Sequence, residues 1–319
     1  MNGIKSVSLL LISILWGFNL CAEEIKTVRT ATPFNRQVPW EIDFHQNDSI
    51  EIKLKETFGF VYADVLLNGQ GPFRFLIDTG ADASLISYGL VKKLKLEPLE
   101  SRQRVFETSH KKATISTALY LINELTLGTA TLRHAPFIAS NTASDDFQLL
   151  QGLEIEGIIG TNIFHDVILT LDLPNNRLVL NKHEGFKEKN AGVHELNNQY
   201  YLPVVKTKVK RKDKTSEYQF LVDSGYSGYV KMPICFSYED RKNKENSIIT
   251  YDVFNQSESG FLAELDGVFM IGDKTIDAPI VRYSIGDCEV EQRWGLIGTR
   301  FLRNQSVSVD QKNRRVIFH

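Results

Sequence analysis

One arrangement of residues occurs twice in this 319-residue chain. Phe75-Leu76-Ile77-Asp78-Thr79-Gly80 returns as Phe220-Leu221-Val222-Asp223-Ser224-Gly225, at an offset of 145. Gly157-Ile158-Ile159-Gly160-Thr161 returns as Gly295-Leu296-Ile297-Gly298-Thr299, at an offset of 138. The second match runs on without a gap. Leu169 to Leu180 (LTLDLPNNRLVL) lies against Val307 to Phe318 (VSVDQKNRRVIF), and Asp172, Asn175 and Arg177 meet Asp310, Asn313 and Arg315. Each copy reads apolar strand, Asp-hydroxyl-Gly, variable middle, apolar-apolar-Gly, closing hairpin. Two copies do not make a solenoid. They describe one lobe duplicated and fused, whose equivalent residues can face each other across a pseudo-two-fold axis.

The composition suits such lobes. With 42% hydrophobic and 24% charged residues the chain can bury a core, which excludes a disordered or collagen-like protein. Phe, Tyr, Val, Ile and Thr favour strands. Phe60 to Leu67 ends at the hairpin signal Asn68-Gly69, and Phe73 to Ile77 follows it. Ala118 to Leu127 and Thr131 to Ala139 flank a second turn; Gly260 to Ile271 and Ile276 to Val281 flank a third. Ser84 to Leu96 spaces its apolar residues by three and four, which predicts a short helix. Polar, mixed-charge 183–198 reads as a linker between lobes at 48–182 and 199–319, and 23–47 as an irregular lead-in.

Residues 1–22 read as an export leader. Lys5 precedes the apolar run Val7 to Phe18, too short to span a bilayer comfortably, and Ala22 is a suitable small residue before cleavage. A periplasmic or secreted location is therefore expected. The net charge of −2 offers no basic excess for phosphates, so nucleic acid is not an expected partner. Beyond the leader only Cys235 and Cys288 are left, and an oxidising compartment permits either a disulfide or two free thiols. No His-Glu-x-x-His or Cys-x-x-Cys occurs, so neither metal nor cofactor is expected. His165-Asp166 reads as a strand-edge pair and Lys206 to Lys214 as a solvated hairpin.

The chemistry sits at the two Asp loops. A buried strand delivers a carboxylate at its end. Gly80 and Gly225 offer positive φ for a sharp turn, and Thr79 and Ser224 offer hydroxyls to bond across the junction. The symmetry puts Asp78 and Asp223 side by side. Two adjacent carboxyls cannot both ionise cheaply, so they share one proton and titrate as a unit. One can then act as general base on a water while the other hydrogen-bonds a carbonyl.

Phe75 to Ala81 (FLIDTGA) with Gly157 to Gly160 (GIIG), and Phe220 to Gly228 (FLVDSGYSG) with Gly295 to Gly298 (GLIG), each resemble a retropepsin-like aspartic protease lobe. Together, from about Phe58 to Phe318, they are similar to bacterial exported aspartyl proteases that carry two such lobes in one chain, as pepsin does. The resemblance implies an all-β fold of two pseudo-symmetric β-barrel lobes with a cleft between them, monomeric and acting on peptide or protein. It implies Asp78 and Asp223 as the catalytic pair, supported by Thr79, Gly80, Ser224 and Gly225. It also implies β-hairpin flaps within Val105 to Thr117 and Thr250 to Phe261. Tyr226 stands where the family has Ala or Ser, and either narrows the cleft or points outward. Two other readings stay open: a peptide-binding protein without turnover on the same fold, and a glycosidase, which needs its carboxyls about 5 Å or more apart.

Overall fold

The computed structural model describes residues 8–9, 40–107, 112–140, 152–184, 186, 192–195, 202–234, 236, 247–251, 257–285 and 294–319. Alternation drives its strands. In Ser49–Lys53, Ile50 and Ile52 are buried between exposed neighbours. In Val204–Arg211 buried Val205, Thr207 and Val209 alternate with exposed Lys206, Lys208 and Lys210. Successive side chains of a strand face opposite ways, so one face of each pairs with the core and the other with water. The basic run is thus a solvated hairpin, as expected, with Arg211 opposite Lys214.

These strands form three sheets. A nine-stranded sheet draws on residues 41–159, with Ile155–Ile159 between Gln70–Ile77 and Leu85–Ile86. A ten-stranded sheet repeats that motif with Trp294–Ile297 between Lys214–Val222 and Val230–Lys231; Ser8–Leu9 lies at its edge, beside Ser247–Tyr251. In both, the middle strand runs parallel to the strand that ends at the Asp and antiparallel to the short one that follows.

The third sheet has six strands, three from each half. Its order is Gly192–Glu195, Arg315–Phe318, Val307–Asp310, Ile168–Asp172, Arg177–Asn181, Ser49–Lys53. The halves meet where Thr170 lies opposite Ser308, two residues separated by the repeat offset of 138, and their hydroxyls are 2.7 Å apart. One apolar core continues through both halves. It includes Phe75 edge-on to Phe137 at 5.7 Å and Phe220 edge-on to Phe269 at 5.2 Å.

Several local expectations need correction. The helix covers only Tyr88–Leu94, because Leu85–Ile86 is taken by the sheet; the Ser87 hydroxyl caps it by accepting from the Leu90 N–H at 3.0 Å. The lead-in is not wholly irregular, since Glu41–Asp43 pairs with 131–133. The linker contributes a strand, Gly192–Glu195, which pairs with Arg315–Phe318. The strand expected over Gly260 to Ile271 is two, Ser257–Glu264 and Val268–Ile271, broken at Gly267. There φ is +148° and a Cβ would sit 2.2 Å from the Lys210 carbonyl oxygen, so only glycine fits. His165-Asp166 follows the 3₁₀ turn Thr161–Phe164 and lies on no strand. Both expected flaps are antiparallel hairpins, Glu100–Glu107 with Lys112–Leu127 and Ser247–Tyr251 with Ser257–Glu264. Their tips, both cysteines and most of the leader lie outside the described residues.

Candidate active site

Each Asp is set by the sheet beneath it. The Asp78 N–H donates to the Ile159 carbonyl at 3.0 Å and the Asp223 N–H to the Ile297 carbonyl at 2.9 Å, which extends the parallel pairing by one bond into each loop. The carboxyls are then oriented by backbone donors. Asp78 Oδ1 accepts from the Gly80 N–H at 2.8 Å, and Asp223 Oδ1 accepts from Gly225 at 2.9 Å and Tyr226 at 3.1 Å. Such bonds hold a carboxyl in one rotamer and leave its second oxygen free.

The two loops grip each other. The Thr79 hydroxyl donates to the Val222 carbonyl at 2.7 Å and accepts from the Ser224 N–H at 3.0 Å. The Ser224 hydroxyl donates to the Ile77 carbonyl at 2.7 Å and accepts from the Thr79 N–H at 2.9 Å. Three buried polar groups of each loop are thereby paired with the other loop. Leaving any of them unpaired would cost about 1–3 kcal/mol.

The glycines serve a purpose other than the one the sequence suggests. Neither Gly80 nor Gly225 is among the positive-φ residues. They are needed for space. A Cβ on Gly80 would lie 2.5 Å from Asp223 Oδ1, and one on Gly225 would lie 2.6 Å from the Asp78 carboxyl carbon. Each glycine therefore lies against the other loop's carboxyl, and all six expected residues, Asp78, Thr79, Gly80, Asp223, Ser224 and Gly225, come together in one place.

Asp78 is 1% exposed and Asp223 fully buried, and Oδ2 of each has no hydrogen-bond partner among the described residues. Burial pushes the Asp78 carboxyl up to about 7, against the pull of the Gly80 N–H and of its neighbour Asp223. Burial, together with the charge of Asp78, pushes Asp223 well above the usual carboxylate range. Each carboxyl thus lies near enough to the other to shift its hold on a proton. Two such groups can hold one proton between them and offer a basic and an acidic oxygen to the same small space.

Some neighbours were not foreseen. Thr161 and Thr299 recur in the repeat, yet only the structure gives them a role. The Thr161 N–H and hydroxyl both donate to the Ala81 carbonyl, at 2.8 and 3.0 Å. The Thr299 N–H donates to the Tyr226 carbonyl at 2.8 Å, while its hydroxyl crosses to the Gly59 carbonyl of the first half at 2.7 Å. Asp82 is a third buried carboxyl, raised well above its ordinary value by burial, with one oxygen unpartnered among the described residues; Ser227 takes its place in the second half. Tyr226 does not point outward. It is 2% exposed and packs with Leu202, Val204, Leu221 and Leu296. Its phenol lies where a Cβ on Gly228 would be 2.3 Å from the hydroxyl, and burial pushes that hydroxyl up to about 12.

No curated protein matches the sequence. Residues 63–163, which contain Asp78-Thr79-Gly80 and the Gly157 to Gly160 strand, match the family model described as aspartyl protease.

Proposed function

We propose that the protein is an aspartic endopeptidase whose water-activating pair is Asp78 and Asp223. The observation that carries this reading is the pair of unpartnered Oδ2 atoms on two interlocked loops. A water between the carboxyls gives its proton to the ionised one as its oxygen attacks the peptide carbon. The protonated carboxyl donates to the carbonyl oxygen, and a gem-diol forms. Breakdown returns a proton to the amine as the C–N bond breaks, so the products are an acid and an amine and the pair regains its single proton. No covalent intermediate is required.

Under the same proposal the halves are lobes of a duplicated domain, extended peptide lies between them beneath the two hairpins, and the monomer works outside the cytoplasm after its leader is removed. The test is cleavage of casein and of a peptide library by the mature protein. Asp78→Asn and Asp223→Asn should each lower turnover by about 10²–10⁴-fold, the usual contribution of a positioned acid or base. Undiminished turnover in either variant would refute the assignment. Peptide binding by the wild type without turnover would favour the non-catalytic reading.

A further inference from the structure

The two halves differ sharply on one equivalent face. In the first half the short strand after the Asp loop places Leu85 beside Ile138 and Ile158, all buried and apolar. In the second half the same pairing places Lys231 beside Arg282 and Leu296. Both cations are 1% exposed. Glu258 Oε2 accepts from Lys231 Nζ at 2.9 Å and from Arg282 Nη1 at 2.6 Å, and Thr250 Oγ1 accepts from Arg282 Nη2 at 2.9 Å. Gly260 makes room for this guanidinium, since a Cβ there would be 3.0 Å from Nη2. Arg282 Nε has no acceptor among the described residues.

Burying charge is costly unless it is matched, and among the described residues Glu258 is the carboxylate that hydrogen-bonds both buried cations. Arg282 lines a cavity of about 410 Å³ together with Tyr226, exposed Arg300, Ile248, Leu262 and Ile280. Tyr226 also donates its N–H to Asp223, so the cavity adjoins the second Asp loop. Its walls combine two arginines, one buried and one exposed, with branched apolar side chains, which suits a short aliphatic stem ending in a carboxylate.

We infer that this cavity is a substrate subsite for an acidic side chain, Glu or Asp, whose carboxylate pairs with exposed Arg300 above the buried positive charge of Arg282 and whose methylenes lie against Ile248, Leu262 and Ile280. The inference rests on the endopeptidase reading for its substrate, but its test does not depend on turnover. A displayed peptide library is selected on full-length Asp78→Asn protein, and Glu and Gln versions of a selected peptide are then compared for affinity. Enrichment of Glu or Asp at one fixed position is expected. The Glu peptide should bind at least ~10-fold tighter than its Gln isostere, and Arg300→Gln on the same background should reduce the ratio to below ~3, as loss of a charge-assisted hydrogen bond requires. A second variant, Lys231→Leu with Arg282→Ile, restores the apolar pair of the first half and should also remove the preference, its fold being checked by thermal melting. No acidic enrichment, or a ratio that survives both variants, overturns the inference. Discrimination in binding without cleavage by the wild type would sink the endopeptidase reading alone. Cleavage without Glu-over-Gln discrimination would sink this inference alone.

Discussion

Thr79 and Ser224 each satisfy two groups of the opposite loop, and this reciprocity makes a prediction about coupling. Ser224→Ala strands the Thr79 N–H and the Ile77 carbonyl; Thr79→Ala strands the Ser224 N–H and the Val222 carbonyl. Each substitution should cost about 1–3 kcal/mol per stranded group in denaturant unfolding. The double substitution should depart from the sum, because the residues share one network. Additive losses would mean that the loops do not act as a unit. The carboxyl pair makes a second prediction, on pH. Both acids are raised above their ordinary value by burial, so the folded state holds its proton more tightly than the unfolded chain. Their stabilising contribution is complete below the ordinary carboxylate value of 3.8 and is lost as pH rises toward about 7, the folded value for Asp78. Unfolding free energy followed between those limits should decline in the wild type and decline less in Asp223→Asn. Under the proposed function cleavage runs the other way, since it needs one ionised carboxyl, and should be faster near pH 7 than at pH 3 on the acid limb. Asp172 and Asp310 act in the opposite sense on stability. Burial would raise them, but bonds from Arg177, Asn175 and Ser306, and from Arg315 and Asn313, hold them low. Their contribution is present above the ordinary carboxylate range and disappears as pH falls through their folded values. The motif made Asp78 and Asp223 legible in the sequence, because short-range order alone carries it. The reason for Gly80 was not legible, because it is the carboxyl of a residue 143 positions away.

Among the elements, the strands carrying Gly157 and Gly295 show what a repeated glycine is for. A Cβ on Gly157 would lie 2.1 Å from the Phe75 ring, and one on Gly295 would lie 2.3 Å from the Phe220 ring. Each phenyl therefore lies flush on the middle strand, and the Asp at the end of its own strand is fixed by that seating. Gly157→Ala and Gly295→Ala should each destabilise by about 1–3 kcal/mol, the usual cost of overpacking a filled core. Calorimetric melting of the two variants measures this. Unchanged melting would mean that Phe75 and Phe220 are loosely held. Alternation and turn residues made most strands legible: Asn68 and Gly69 have φ of 50° and 74°, as a tight hairpin requires. Partners brought from a distance were not legible. Gly192–Glu195 offers a single large apolar residue, Val193, and becomes a strand only because Arg315–Phe318 presents an edge to it. The Lys231, Glu258 and Arg282 cluster was hidden for a related reason. Lys231 takes the pairing place of Leu85 at an offset of 146, one more than the motif offset, so the simple alignment sets it against Ile86.

At the scale of the whole molecule the six-stranded sheet decides how far the halves depend on each other. Its two central strands come from different halves, and Thr170 and Ser308 bond across the seam. Further ties cross elsewhere: Glu56 pairs with Arg303, and the Thr299 hydroxyl reaches Gly59. Separated halves would each expose an unpaired strand edge and half of the Asp-loop network. The connection from Arg177–Asn181 to Gly192–Glu195 has only to pass four strand positions, roughly 19 Å at the usual spacing. Cutting the chain within 187–190, at an engineered protease site, should therefore leave a complex that elutes as one species, unfolds in one transition and keeps its turnover. The cut removes covalent linkage and leaves the shared sheet, the common core and the grip between Thr79 and Ser224 in place. Two eluting fragments, or two unfolding transitions, would show that each half is stabilised from within and that the seam is a contact between independent domains. In that case the paired carboxyls would owe their closeness to the tether and not to the sheet beneath them.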